Sequence, residues 1–251
     1  MFKNERLSLI IEALKHKKVM TTTDLQKQLF VSGSTIRRDL IELEKLGKVV
    51  RKFGYAELVK PDNLELSYLF REQENESAKR RIAETASLFL GDNQAIFVDS
   101  SSTASFLSSY FARLHNLIII TNGLRLAVEL DGVTSIKTFV AGGRLRAGAG
   151  SILGDVALNF MDNFHADLTI LSCTGVTASG VFMSSEEQSS VKRKMMALSD
   201  KVILLCDHSK FNQKSYYKLC RPSDFNAIVT DQKPDDGILK VWQQNDIDVL
   251  Y

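Results

Sequence analysis

The chain has 251 residues, 44% of them hydrophobic and 25% charged, with a formal net charge of +2, the make-up of a globular protein of about two domains. No apolar run approaches the ~20 residues needed to cross a bilayer, the opening MFKNERLSLIIEALKHKK is too charged for a signal peptide, and Cys173, Cys206 and Cys220 are too few and scattered for a disulfide framework or a metal site. A reducing cytoplasm is therefore expected, and the charge is uneven: residues 1–60 hold 13 Lys/Arg against 7 Asp/Glu, a net of +6, and the remainder 19 against 23, a net of −4.

A basic small end on an acidic large body suits a polyanion partner. Its first pattern, ERLSLIIEALKHK, sets Leu7, Ile10, Ile11 and Leu14 on one helical face. TTTDLQKQLF starts with hydroxyl residues suited to N-capping and carries Leu25 and Leu29 at i, i+4. VSGS then interrupts, with Gly33 expected in a tight connection. The third helix begins at a Ser32 or Ser34 cap, buries Ile36, Leu40 and Leu43, and ends at Gly47.

On that third helix Ser34, Arg38 and Lys45 lie opposite Ile36, flanked by Thr35 and Arg37. A helix with hydroxyls and guanidiniums on its outer face and first turns suits the DNA major groove, where arginine can bond guanine O6 and N7 together. KVVRKFGYAELV reads as a short basic hairpin turning at Gly54. Helix, helix, turn, helix and ribbon make a winged helix-turn-helix. Its expected contacts on double-stranded DNA are Thr22, Thr23, Ser32, Ser34, Thr35, Arg37, Arg38, Lys45, Lys48, Arg51 and Lys52. Asp39 would be repelled by phosphates and is read as a partner for a basic side chain within its own helix.

The run STIRRDLIELEKLGKVVRKFGYA, residues 34–56, resembles the N-terminal signature of the DeoR family of bacterial transcriptional regulators: hydroxyl, Thr, Ile, Arg, Arg, Asp, Leu, then Leu-Glu, a Gly and a basic wing. The family's wing usually reads Arg-x-His-Gly-Gly-Ala. Here it is Arg51-Lys52-Phe53-Gly54-Tyr55-Ala56, a change expected to alter operator preference.

Pro61-Asp62-Asn63 breaks the pattern. The expected division is a DNA-binding domain over 1–58, a linker with a short helix over 59–75, and a larger domain over 76–251. The larger domain opens with a helix from Glu76 to Leu90 that turns Ile82, Ala86 and Phe89 to one side. Near-continuous apolar runs follow at 94–99, 117–121, 136–141, 167–172, 201–206, 225–230 and 247–251, alternating with helical segments. That pattern predicts a doubly wound α/β domain covered on both faces.

The residues after these strands are DSSST, TNG, AGGR, CTGV, CDHSK and TDQKP. In open α/β sheets ligands bind at that edge. Asp99, Ser100, Ser101, Ser102 and Thr103 could offer hydroxyls and backbone N–H groups to a phosphate. Arg144, after Gly142 and Gly143, and Lys210, after Asp207, supply cations. Thr121 and Asn122 suit sugar hydroxyls.

The DeoR resemblance extends over this domain. It implies a fold similar to ribose-5-phosphate and glucosamine-6-phosphate isomerases and a phosphorylated sugar as effector. Its Asp-Ser-Gly-Thr-Thr loop corresponds to Asp99 through Thr103, its Thr-Asn to Thr121-Asn122, and its Gly-Gly-x-x-Arg to Gly142 through Arg146. Its acidic helix leading to Lys-Arg corresponds to Glu186-Glu187-Gln188 through Lys192-Arg193, and its Asp-x-Ser-Lys-Phe to Asp207 through Phe211. Glu187 and Lys192 thereby join the effector-binding set. Ser101 stands where the family has glycine, which would reshape the loop if the backbone there needs φ > 0.

The resulting expectation is a repressor of a sugar-metabolism operon, acting as a homo-oligomer, dimer or tetramer, without cofactor, metal or membrane. Two alternatives stay open. One is a sugar-phosphate isomerase with an appended helical domain, using Asp207, Glu187 and Lys210. The other is a DNA-binding protein whose pocket no longer takes a ligand. His16, His115, His165 and His208 show no metal spacing, Met195-Met196 suit a packed helix, and Trp242 suits a core or an interface.

Overall fold

The computed structural model describes residues 3–17, 19–58 and 68–251. The expected break at Pro61-Asp62-Asn63, with the rest of 59–67, lies outside the described residues. The chain divides into two compact units, Met1–Phe70 and Arg71–Tyr251. Among the described residues no helix is long and apolar enough to cross a membrane.

The first unit, the head, contains α1 (Lys3–Lys17), β1 (Val19–Thr21), α2 (Thr22–Leu29), α3 (Gly33–Lys45), β2 (Val49–Lys52) and β3 (Tyr55–Leu58). The expected apolar faces meet in one core that holds Leu7, Ile10, Leu14, Leu25, Ile36 and Leu43. β2 and β3 form the wing, and β1 adds to β3 on its other side, Met20 opposite Ala56. β1 has three residues, too few to show a period in the sequence. Thr21 caps α2, its Oγ1 accepting from the Asp24 N–H at 3.0 Å.

Three expectations for the head are corrected. Gly33 is not the tight connection: it is the first residue of α3, behind a Ser32 cap, and the chain reverses at Phe30, whose φ is 53°. Asp39 does not pair within its helix. Three residues beyond Ile36, it lies on the inner face and is buried, binding Arg6 of α1 through Nε at 2.5 Å and Nη2 at 2.9 Å. Lys48 is buried rather than presented to DNA, its ammonium 3.4 Å from the Phe70 ring centroid. Gly47, at φ 70°, ends α3 as expected: its N–H and that of Lys48 bond the carbonyls of Glu44 and Leu43, the paired bonds of a Schellman cap.

The chain continues through α4 (Tyr68–Gln73), in which the division between units falls, and α5 (Glu76–Ala86), shorter than expected because Ser87–Phe89 tightens into a 3-10 turn. Then come β4 (Ala95–Val98), α6 (Ser102–Ser105), α7 (Ser108–Phe111), β5 (Leu117–Thr121), α8 (Leu124–Leu130) and β6 (Ile136–Val140). They are followed by β7 (Arg144–Arg146), β8 (Ser151–Leu153), α9 (Asp155–Met161), β9 (Ala166–Ser172), β10 (Gly175–Thr177), β11 (Gly180–Met183) and α10 (Glu186–Ala197). The last elements are β12 (Ser199–Leu205), β13 (Tyr217–Cys220), β14 (Ala227–Val229), α11 (Asp236–Gln243) and β15 (Asp248–Leu250).

Seven strands in the order β15-β14-β12-β9-β4-β5-β6 form one parallel sheet, as the apolar runs predict. Alternate side chains feed two cores. Phe97, Leu171, Leu204 and Ile228 pack with Met161 of α9, Met195 of α10 and the fully buried Trp242 of α11. Ile96, Val98, Ile170 and Ile203 pack with Ile82 of α5, Phe111 of α7 and Leu126 of α8. Two small additions were not anticipated: the β7-β8 hairpin and the antiparallel sheet β10-β11-β13. Their strands are three or four residues long, again below what alternation reveals.

Candidate functional site

In the head, a groove of about 410 Å³ is lined by Thr22 and Thr23 of α2, Arg37 of α3, and Arg51, Lys52 and Phe53 of the wing. The Thr22 N–H donates to the Gly54 carbonyl at 3.1 Å and ties the start of α2 to the wing. The two adjacent arginines part company. Arg37 faces this groove, while Arg38 lines a second one, of about 820 Å³, with Lys45, Thr35 and Lys3. Ser32, Ser34 and Thr35 cluster at the start of α3, with the Ser32 hydroxyl 3.0 Å from that of Ser34 and 2.9 Å from that of Thr35.

The wing cations are held by local carboxylates: Arg51 Nε lies 2.7 Å from Glu44 Oε2, and Lys52 Nζ lies 3.1 Å from Glu57 Oε2. Hydrogen bonds from Arg51 keep Glu44 below the usual carboxylate range, and Glu57 raises Lys52. Phe53 is fully exposed at the wing tip, beside Gly54 at φ +84°.

In the larger unit the carboxyl ends of β4, β9 and β12 bring charged residues together. Asp99 follows β4 and is buried. It accepts from the N–H of Ser101 at 2.9 Å and of Ser172 at 2.9 Å, and it pairs with Lys192 of α10. Burial alone would push its carboxyl up, but Lys192 and the hydrogen bonds outweigh that and hold it below the usual range. Lys192 also donates to the Ser172 carbonyl at 2.9 Å. Asp99 and Lys192, expected as ligand contacts, neutralise one another and fix the ends of β4 and β9.

Asp207, after β12, accepts from the Ser209 N–H at 3.1 Å and from Asn75 Nδ2 at 3.2 Å, with Lys210 Nζ 3.4 Å away. Burial pushes its carboxyl up, and Lys210 with Ser209 holds it down overall. Burial would lower Lys210, but Asp207 and the neighbouring Cys173 and Cys206 raise it. Lys210 Nζ also donates to Ser172 Oγ at 3.1 Å and remains partly exposed.

Ser101 has φ −75° and caps α6, its hydroxyl accepting from the Ala104 N–H at 3.2 Å. The position needs no left-handed backbone, so serine in place of glycine does not reshape the loop. Ser100, Ser102 and Thr103 are buried beside it. The N–H groups of Ser102 and Thr103, in the first turn of α6, have no intrahelical acceptor. Thr121 Oγ1 is taken up by the Gly123 N–H at 2.9 Å. Asn122 donates to the Ile152 carbonyl at 3.1 Å, while its buried Oδ1 has no partner among the described residues.

Gly143 sits at φ +136°, where a Cβ would lie 2.7 Å from the Leu153 carbonyl; Gly142 meets no such obstacle. Arg144 and Glu187 form an exposed pair with each other at 2.5 Å. Ser172 and Asn75 were not anticipated as site residues. The crevice rule could have picked out Ser172, which ends a strand; nothing marks Asn75. Nor did the sequence mark Lys79 of α5, which is buried, donates to the Arg71 carbonyl and is pushed down to about 8, mainly by burial and then by Lys210.

The set offers an anion one partly exposed ammonium and two backbone N–H groups, and a hydroxyl one unfilled acceptor. Among the described residues no group of three or more His, Cys, Asp or Glu could hold a metal ion; the side chain of His16 lies outside them.

Residues 6–62 match the family described as DeoR-like helix-turn-helix domain, and residues 74–232 that described as DeoR C terminal sensor domain. The chain is similar to the L-fucose operon activator of Haemophilus influenzae, 33% identical over 97% of this chain and 98% of that one. It is also similar to the glycerol-3-phosphate regulon repressor of Escherichia coli, 29% identical over 98% of each. A solved ribose 5-phosphate isomerase A from Neisseria gonorrhoeae is 15% identical over 53% of this chain and 52% of that one, with a TM-score of 0.39.

Proposed function

The chain belongs to the DeoR family of transcriptional regulators, and from that premise we propose that it represses an operon of sugar or carbohydrate metabolism and is released from its operator by a phosphorylated sugar. The observation that carries the reading is the head's groove, where Thr22, Thr23, Arg37, Arg51 and Lys52 converge beside a helix whose first turn is rich in hydroxyls. Arg37 and Arg38 then read base edges from α3, and Arg51 and Lys52 lie along phosphates. Homo-oligomers, dimers or tetramers, pair two heads on half-sites about one helical turn apart.

The effector reading rests on Lys210, the Ser102 and Thr103 N–H groups and Asn122 Oδ1: the first three suit a phosphate and the last a sugar hydroxyl. A ligand shifts DNA affinity only by preferring one of two arrangements of its domain. The relatives' names, a glycerol-3-phosphate regulon repressor and an L-fucose operon activator, agree with control of such substrates. An isomerase would need a free base near the open-chain sugar. Asp207 is engaged by Ser209, Asn75 and Lys210, and Glu187 by Arg144, which supports regulation rather than turnover.

The test is binding of the full chain, at fixed salt, to the DNA upstream of its own reading frame, with and without a panel of sugar phosphates. Specific binding released by one compound is the expected result. Binding that none alters would overturn the effector reading, and turnover of ribose 5-phosphate would overturn the regulatory one.

A further inference from the structure

Two of the three thiols meet beside the crevice. β9 and β12 are neighbours in parallel register with Ser172 opposite Leu205. The next residues, Cys173 and Cys206, therefore leave the sheet side by side, and both enter the same apolar core. Their sulfurs are 3.9 Å apart. Adjacent strands run about 4.8 Å apart, which falls within the Cα separations that a disulfide spans. Side-chain rotation has to close a gap of about 2 Å to reach the S–S bond length.

The two thiols are not equivalent. Cys173 keeps 6% of its surface accessible and Cys206 none. The hydrogen bond with Cys206 lowers the Cys173 thiol against the effect of burial, and Lys210 and Lys192 add to the lowering. Burial pushes Cys206 well above the ordinary range. Cys220, on β13, is pushed up to about 12 by burial. The thiolate is the reactive form, so Cys173, the residue that keeps some accessible surface, is also the one whose thiol ionises more readily.

We propose that Cys173 and Cys206 are a redox-active pair that a hydroperoxide converts to a reversible disulfide. The Cys173 thiolate attacks the peroxide's outer oxygen. An S–O bond forms, the O–O bond breaks, and the departing alkoxide or hydroxide takes a proton to leave Cys173 as a sulfenic acid. The Cys206 sulfur then attacks the Cys173 sulfur. The S–S bond forms, the S–O bond breaks, and the hydroxide leaves with the Cys206 proton as water. Two thiols lose two electrons and two protons, and the peroxide is reduced to an alcohol, or water, plus water. The disulfide joins the residue after Ser172 to the residue before Asp207, the two groups that hold the Lys210 ammonium, so oxidation reaches the anion-holding side of the crevice.

The experiment treats the reduced full chain with hydrogen peroxide, then denatures it, alkylates free thiols with N-ethylmaleimide and maps the peptides. The expected result is loss of two thiols per chain and one cross-linked species joining the peptides of Cys173 and Cys206, undone by dithiothreitol, with Cys220 alkylated throughout. Cys220→Ser leaves the cross-link intact. Cys206→Ser stops at a Cys173 sulfenic acid that dimedone traps. Oxidation of Cys220 before Cys173, a cross-link between chains, or two free thiols at 173 and 206 under peroxide that oxidises glutathione would each overturn the pair. Hydrogen exchange of the oxidised and reduced chains reads the second claim: protection changes at 206–211 are expected, and a cross-link without them overturns its reach into the crevice. Neither readout needs the effector, so failure here is distinct from failure of the proposed function.

Discussion

In the head, Arg51 reaches Glu44 seven residues away and Lys52 reaches Glu57 five residues away, with all four side chains in solvent. In the larger unit, Lys192 reaches Asp99 across 93 residues and Asn75 reaches Asp207 across 132, with Lys192, Asp99 and Asp207 buried. Exposed ion pairs are worth little to stability, so the head's cations can leave their partners for phosphates at small cost. A buried pair that loses one member leaves an uncompensated charge. Changes in the head should therefore be felt in DNA binding, and changes in the crevice in folding.

The sharpest test removes the buried ammonium that faces Asp99. Lys192→Met leaves the Asp99 carboxylate buried with only the Ser101 and Ser172 N–H groups. A loss of about 3–5 kcal/mol is expected in urea unfolding. Adding Asp99→Asn should recover a large part of it. A single-variant loss no larger than that of an exposed lysine would break the comparison.

Lys79 gives the next effect, through pH. Its folded pKa is about 8 against an ordinary 10.5. Between those values the unfolded chain holds the proton and the folded chain does not, so Lys79 makes stability rise with pH across that window. The rise is on the order of 3 kcal/mol when converted at 1.36 kcal/mol per unit. Lys79→Met should be more stable than the parent at neutral pH, with the difference fading toward pH 10.5. Parallel stability curves for the two proteins across that range would sink the assignment.

In the head, Arg37→Ala should cost about 1–3 kcal/mol of specific DNA affinity if the guanidinium reads a base edge, with the melting temperature unchanged. The decisive pairing is affinity against thermal stability on one preparation. A drop in stability without a drop in affinity would make Arg37 a structural residue and erase the contrast with Lys192.

The legible parts of the chain are those whose physics is local. Each strand of the seven-stranded sheet overlaps an apolar run of the sequence, because a strand covered on both faces is mostly apolar; β9 and β12 start one and two residues ahead of their runs, at Ala166 and Ser199. Gly47 is a single-residue stop signal, and of the two serines offered as the cap of α3 it is Ser32 that takes the position. What escaped depends on partners far along the chain. Asp39 looked like an exposed helix acid until Arg6, 33 residues earlier, met it. Lys48 looked like a wing cation until Phe70 covered it. In the crevice, Asp99, Lys192, Asp207 and Lys210 were each visible as residues at the edge where ligands bind. The pairing of Asp99 with Lys192 was not, since no spacing relates positions 93 residues apart; Asp207 and Lys210, three residues apart, pair within one loop. The contribution of Asn75 follows from the start of α5 packing against the loop after β12, a tertiary event with no mark at position 75.

The smallest effect probes how the head's cations are held. Arg51 spends its guanidinium on Glu44 of α3, through Nε at 2.7 Å, while its backbone N–H donates to Glu44 Oε1 at 3.2 Å. Glu44 thus shapes the wing's first strand and also competes with phosphate for Arg51. Glu44→Gln keeps an acceptor for the N–H and removes the competing charge. Arg51 is then freer to neutralise a phosphate, and the like-charge repulsion between Glu44 and the backbone disappears. Affinity for unrelated duplexes should rise a few-fold at low salt, and the gain should shrink as salt rises, because it is electrostatic in origin. Stability should be unaltered. Titrations at several salt concentrations decide it: a gain that persists at high salt would mean a reshaped wing rather than a released cation, and no gain at any salt would mean that Arg51 stays on its helix partner when the head meets DNA.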